Sequence, residues 1–366
     1  MGLTQSRSYR RSSGSLFCVG VACIVIATSL TLGACIDELP LQQTDTALAY
    51  VDGAILVDST RQTLTLGRTN GIRVRGVPIT SAEVEVANLS TDETYTYRHV
   101  GDGEYVADFT GRLGDVYQLR ADIPGLGTFR SQPDSLGRGG YTLEADAALR
   151  VVRGADGRAV PTNFVTARVS IAPERGARLE GVLAVRQYTI WSYADLVCDV
   201  FDGSDVCYFI DRPATIPLES LDLAAISTAP GDTAVATFGA ENLDFRFAQD
   251  GYLALEIRRY GPAATAYVTA LSQALNPTGS PFDERPYPAA GNLRSENPDG
   301  EGLLGFFGVA EERPYYVRVL ASEEVRGRIK PGPCATTRPV TQGLQLDCCF
   351  CDRSPGALAE RPSYLP

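Results

Sequence analysis

The sequence predicts a mainly β protein, and three observations carry that prediction. Period-two alternation runs through many short segments, as in Glu83-Val84-Glu85-Val86, where valines take one face and glutamates the other. Glycine, asparagine and aspartate recur between these segments and supply residues able to turn a hairpin. Helical spacing of apolar residues, by contrast, occurs in one stretch, near 262–275.

The chain opens on an export leader, residues 1–34. Arg7, Arg10 and Arg11 precede an apolar run from Leu16 to Leu32, broken by Gly20, Thr28, Ser29 and Thr31. The run falls short of a comfortable bilayer span and ends in Leu32-Gly33-Ala34-Cys35. Small residues before a cysteine are what a lipoprotein signal peptidase requires. Cleavage before a diacylated Cys35 would make that residue a lipid anchor. Residues 35–49 then read as a tether, with Asp37 and Glu38 directly behind the anchor and Pro40 after them.

From 50 to 149 the pattern is that of an antiparallel sandwich. Thr63-Leu64-Thr65-Leu66 alternates, and in Val116–Ile123 the odd-numbered residues form the apolar face. Asp52-Gly53 and Asp102-Gly103 are expected to turn the chain through positive φ. Short strands with regular turns over this length predict an immunoglobulin-like sandwich. Gly101-Asp102-Gly103-Glu104-Tyr105 and the strands around it make it similar to transthyretin-like or carboxypeptidase-regulatory-like modules.

A boundary loop is expected at Pro133–Gly140, and residues 150–333 read as a second β-rich domain. Strands are expected at Phe164–Ile171, Gly181–Ile190, Val206–Ile210, Leu243–Phe247 and Tyr252–Arg258. The helix follows, with Tyr267, Leu271 and Leu275 at spacing four, Pro262 in the first turn and Asn276-Pro277 at its end. An irregular segment rich in proline, glycine and asparagine runs to Glu301, and Leu303–Val309 and Tyr315–Leu320 read as two closing strands. Residues 334–366 form a cysteine-rich tail.

Nine cysteines are present. Cys18 and Cys23 leave with the leader and Cys35 takes lipid. Cys198, Cys207, Cys334, Cys348, Cys349 and Cys351 remain, an even number that in an exported chain reads as disulfides. Cys198 and Cys207 flank an expected hairpin and are the simplest pair. The four tail cysteines read as two disulfides, a four-cysteine zinc site being the alternative that their compressed spacing disfavours.

Removing the leader takes away three arginines and no acids, which leaves 30 basic residues against 44 acidic ones and a net charge of −14. Such a surface repels phosphate, so neither nucleic acid nor anionic lipid head groups are expected partners. His99 is the only histidine; a Ser-His-Asp or Cys-His mechanism would have to use it, yet it sits in an expected strand. Nucleophile-elbow, zinc-protease and Walker motifs are absent from the sequence, and no Gly-x-Gly-x-x-Gly follows an expected strand. The expectation is a non-enzymatic protein without a cofactor, a hydrolase using buried carboxylates being the weaker alternative. The segment richest in binding-type residues is Tyr188–Tyr208. Tyr188, Trp191 and Tyr193 could stack a ligand or anchor a partner, and Asp199, Asp202 and Asp205 form a weak calcium candidate.

Beyond the helix comes an ordered series: Asn276-Pro277, Pro281-Phe282-Asp283, Gly291-Asn292-Leu293 and Leu304-Gly305-Phe306-Phe307-Gly308, then Cys348-Cys349-Phe350-Cys351. This series resembles an uncharacterised family of Bacteroidetes-type outer-membrane lipoproteins catalogued as domain of unknown function 4249, over nearly the whole mature chain. The resemblance implies an outer-membrane, lipid-anchored protein at the cell surface, encoded beside a TonB-dependent receptor; it brings no catalytic or ligand residues. The expected function is therefore a substrate-capturing or capping accessory of a TonB-dependent β-barrel transporter. An adhesin or matrix-binding module is the alternative. Gly291-Asn292 and Gly305 are expected at tight backbone turns, with Phe306 and Phe307 anchoring the irregular segment to the sheet.

Overall fold

One fifteen-residue strand, Leu304–Arg318, joins the two halves of the protein. The structure, a computed structural model, describes residues 48–70, 74–137, 141–154, 156–173, 178–193, 206–212, 217–226, 231–247, 250–276, 289–297, 303–319, 351 and 356–366. All of them fall in the unit Ala47–Pro366. The protein is mainly β, as expected.

Eight strands precede the expected boundary loop and a ninth lies within it: β1 (Ala49–Leu56), β2 (Gln62–Asn70), β3 (Val74–Pro78), β4 (Glu83–Asn88), β5 (Glu93–Gly101), β6 (Glu104–Ala107), β7 (Val116–Ile123), β8 (Gly127–Ser131) and β9 (Asp134–Ser135). Seven of them follow the order β8-β7-β4-β5-β6-β2-β1, with β3 paired to β2 and β9 to β7. β5 pairs β4 through its first residues and β6 through its last, so the chain folds around one core. That core is built by alternation: Tyr117, Leu119, Ala121 and Ile123 of β7 and Val84 and Val86 of β4 are all buried. Asp102 and Gly103 take φ of 48° and 76° and turn β5 into β6, as the sequence predicts. Asp52-Gly53 does not turn the chain. Both lie inside β1, where a Cβ on Gly53 would stand 2.5 Å from the Leu64 Cβ. Glycine is there to let two strands approach, which local sequence cannot distinguish from a turn.

The second half contains β10 (Tyr141–Arg153), β11 (Ala159–Pro173), β12 (Val182–Tyr193), β13 (Cys207–Asp211), β14 (Leu218–Asp222) and β15 (Ala234–Asn242). After these come β16 (Gly251–Tyr260), β17 (Leu293–Ser295), β18 (Leu304–Arg318) and β19 (Ala357–Leu358). The helices are α1 (Leu223–Ile226) and α2 (Thr265–Leu275), the second preceded by a 3-10 turn at Pro262–Ala264. β10, β11 and β15 form a separate three-stranded sheet. Residues 141–149, which by sequence continue the first sandwich, therefore pair with β11. The two sheets enclose a second core of Val169, Ile171, Leu183, Leu253, Leu255, Ile257 and neighbours.

Two expected elements take another form. Leu243–Phe247 is no strand: Phe245–Phe247 is a 3-10 turn, tied by Asp244, which accepts from the Arg246 backbone N–H at 3.1 Å. An aspartate accepting from the second amide after it favours a turn over a ladder. The two expected closing strands are one. The first part of β18 runs parallel to β1, Tyr50 opposite Leu304 through Leu56 opposite Ala310. Its second part runs antiparallel to β16, Ala310 opposite Tyr260 through Arg318 opposite Tyr252. Pro314 suggests a break, but that part of β18 is laddered on one side only, where a proline is tolerated.

Candidate functional site

Functional geometry gathers on one face of the sheet that β12, β16 and β18 share. Side chains alternate along a strand, so Ala184, Arg186 and Tyr188 of β12 point to the same side. Ala184 lies under α2, Tyr188 lies under the C-terminal residues, and Arg186 stands between.

α2 is fixed there by its own polar residues. Ser272 Oγ donates to the Leu218 carbonyl at 2.8 Å, and Asn276 Nδ2 donates to the same oxygen. Ala264 and Val268 are buried against Val182, Ala184, Leu218 and Phe306. Tyr267 stacks on Phe306, centroids 5.4 Å apart and planes at 24°, and Tyr260 meets Phe306 edge-on at 6.5 Å. Where Gly53 and Ala184 leave no side-chain bulk, a cleft of about 70 Å³ opens between helix and sheet.

Charges ring this cleft. Arg258 Nε donates to Glu312 at 2.8 Å, and Arg212 pairs with Glu256 at 3.4 Å. Burial works against the Arg258 cation, but Tyr260 and Glu312 outweigh it and raise its pKa. Tyr267 is pushed up to about 12, first by burial and then by the charge of Asp52 and by Tyr260, so its hydroxyl is a proton donor at neutral pH. Arg186 and Asp52, both exposed, make no ion pair or hydrogen bond with a described residue. The cleft thus offers an aromatic wall, a phenol donor, and a cation and a carboxylate that no described residue pairs. A groove of about 290 Å³ between β10 and the end of β18 is larger, but its two charged side chains, Asp146 and Arg318, are already paired with Arg168 and Asp250.

Neither Tyr188 nor Trp191 lines this cleft: Tyr188 shares the face of Arg186, and Trp191 alternates to the other. Tyr188 is 3 % exposed and packs with Ile190, Tyr252, Ala254 and Leu365. Arg212 covers its ring at 4.5 Å. Trp191 stacks on Phe209 across the β12–β13 pair, centroids 4.4 Å apart. Tyr193 ends β12 opposite Cys207. Asp199, Asp202, Asp205, Cys198, Cys35, Cys334, Cys348 and Cys349 lie outside the described residues. His99 is exposed on β5, its ring 5.2 Å from that of Tyr105. Among the described residues no three His, Cys, Asp or Glu side chains are close enough to share a metal, and no helix is long and apolar enough to cross a membrane.

The simplest cysteine pairing is not the one formed. Cys207 bonds to Cys351, 144 residues away, and not to Cys198. The reason is the path of the tail: β19 adds to β13, Leu358 opposite Tyr208 and Ala357 opposite Phe209. The segment then crosses the sheet, where Tyr364 stacks on Tyr316 at 4.8 Å and Arg361 donates to the Tyr252 hydroxyl at 2.9 Å. Nothing local in the sequence announces that return. Arg186 was also missed, although an arginine inside the apolar run Val182–Ile190 is a usable signal.

The segment resembling the lipoprotein signature closes the cleft's far wall. Gly305 takes φ of +104° and lies against the Val51 carbonyl, and a Cβ on Gly291 would stand 1.8 Å from the Gly305 carbonyl oxygen. Phe307 is buried in the first core and Phe306 forms the cleft wall. Asp134 accepts from the Val309 N–H at 2.9 Å; burial raises its pKa, and the Val309 and Ser135 N–H groups act against that rise.

No family model matches the chain, and no curated protein matches it. One similar solved structure is that of a candidate carbohydrate-binding protein from Bacteroides uniformis. It is 12 % identical, the match covers 58 % of this chain and 89 % of that one, and the TM-score is 0.14, too low to bear on fold or function.

Proposed function

We propose that the chain is a lipid-anchored protein of the outer-membrane surface that captures a small polar ligand for a TonB-dependent β-barrel transporter. The cleft carries the capture part of this reading. Arg186, Asp52 and the Tyr267 hydroxyl converge beside the Tyr267–Phe306 wall, a mixture of one apolar surface and a few oriented polar groups that suits a small-molecule site. The sequence supports the location: Leu32-Gly33-Ala34-Cys35 ends an apolar leader, and Asp37-Glu38 follows. An anchor on the same membrane as the transporter raises the effective concentration of one at the other.

The test is isolation of the protein from its native outer membrane in mild detergent, with mass spectrometry of whatever accompanies it. A stoichiometric β-barrel transporter is expected, and the protein recovered alone would defeat the accessory role. Substrates of that transporter should bind the native chain and lose about tenfold in affinity in Arg186→Ala, a loss of one charged hydrogen bond. Equal binding by both proteins would remove the cleft from the mechanism.

A further inference from the structure

Past the end of β15, β10 and β11 continue as a two-stranded ribbon that no other described strand pairs. Phe164 is the last β11 residue that β15 pairs. Val151 opposite Pro161, Val152 opposite Val160 and Arg153 opposite Ala159 then carry the ribbon to a turn in which Gly154 N–H donates to the Arg158 carbonyl at 2.9 Å. Three steps of strand take that turn roughly 10 Å beyond Val151.

A solvated ribbon should be polar on both faces, and this one is not. Val151 is 53 % exposed, Val152 43 %, Val160 49 % and Phe164 37 %. Val152 and Val160 face the same way, because directly opposed residues do, and Val151 faces the other way. Apolar side chains thus occupy both faces of a projection that packs on nothing described. Its charge is as unusual as its valines. Arg150, Arg153 and Arg158 stand against Asp156 alone, a net +2 on a chain whose formal charge is −11. Arg158 reaches Asp156 at 3.7 Å with both side chains exposed, and Arg150 and Arg153 make no ion pair with a described residue.

We infer that this ribbon, Arg150–Phe164, is a membrane-docking finger that inserts into a phosphate-bearing lipid surface. Valines at its tip can enter the headgroup boundary, whose depth of about 5–10 Å matches the projection, while arginine stems lie along the apolar zone and their guanidinium groups pair with phosphate. The negative body of the protein does not forbid this, since charges beyond about 8–10 Å are screened at physiological salt. The inference goes beyond the capture reading: it concerns the contact of the folded part with the bilayer, whatever the cleft binds.

Depth-dependent fluorescence tests it. Trp191 is the only tryptophan, so Val152→Trp and, separately, Val160→Trp in a Trp191→Phe background place a single reporter on the ribbon. Val100→Trp, at a residue 42 % exposed on β5, serves as control. The full-length protein is purified from its membrane into nanodiscs of brominated phosphatidylcholine, with or without one-third phosphatidylglycerol. At least threefold stronger quenching at 152 and 160 than at 100 is expected. Arg150→Gln with Arg153→Gln should lower the anionic-disc effect, each arginine contributing about fivefold to partitioning. Quenching at the ribbon no greater than at the control, in protein that co-elutes with discs, overturns the finger while leaving the lipid anchor intact. Failure to co-elute at all defeats both. Quenching indifferent to phosphatidylglycerol overturns phosphate recognition, and protection of the ribbon by a co-purified protein reassigns it to a protein partner.

Discussion

Asn292 closes the free edge of the strand that bears Phe307 as a neighbouring strand would. Its Nδ2 donates to the Phe307 carbonyl at 2.7 Å, and the Phe307 N–H donates back to its Oδ1 at 3.0 Å. Both groups are buried. Asn292→Ala leaves a buried donor and a buried acceptor without partners, each costing about 1–3 kcal/mol. A loss of about 2–4 kcal/mol in denaturant unfolding is expected, with little recovery in Asn292→Asp, whose carboxylate cannot donate. An unchanged midpoint would show that water replaces the amide.

Gly305 combines positive φ with contact on the Val51 carbonyl. An alanine there meets both penalties at once. The left-handed conformation alone costs about 1–3 kcal/mol, and the methyl would also have to displace the β1–β18 pairing. Gly305→Ala should lower stability by about 3 kcal/mol or more, whereas Gly125→Ala, with open space around its Cβ position, should cost only its backbone strain. Comparable thermal midpoints for the two would refute the close approach.

Glu219 accepts from the Gly239 N–H at 2.5 Å, and burial, partly offset by that bond, raises its pKa. The folded state therefore binds this proton more tightly than the unfolded chain. Its contribution to stability is fully present below the unfolded pKa and is lost as pH rises through the folded one. Gln187 Oε1, packed on the same glycine, has no hydrogen-bond partner among the described residues. Glu219→Gln removes the half-buried charge and supplies a donor nearby. Its melting temperature should exceed that of the parent at pH 7, and the gap should close as pH falls below the ordinary carboxylate range. A gap that persists in acid would mean that charge is not its cause.

The Cys207–Cys351 bond closes a loop of 144 residues. Chain entropy assigns a closure of that length about 4–5 kcal/mol. Cys351→Ser is expected to lose much of this and to make the C-terminal segment a target for limited proteolysis, with cuts near Arg361. Equal resistance of both proteins would show that Tyr364, Leu365 and Arg361 hold the segment without the covalent link.

How legible all this was depends on the range of the interaction. Val84, Val86 and the odd residues of β7 were readable because alternation is a property of one strand. α2 was readable from Pro262, Tyr267, Leu271 and Asn276. Gly53 was misread, since a glycine needed for a neighbouring strand looks like a glycine needed for a turn. β15 passed unnoticed because Ala234–Asn242 has a weak pattern until β11 lies beside it. Phe306 was rightly expected to pack, but only the approach of α2 makes its ring one wall of a cleft. Tyr188 drew attention as an aromatic residue, and the return of a tail from far along the sequence determines that it is covered.

The pairing of β1 with β18 has a mechanical consequence. The two strands are parallel, and seven consecutive positions from Tyr50 to Leu56 are in register. Tension drawn through Ala49 against the body of the molecule pulls along the strand axis, so the rungs of this ladder share the load in shear instead of opening one by one. A protein tethered at that end would resist extraction by force far better than its thermal stability suggests, and first failure would come when β1 slides as a unit past Gly305.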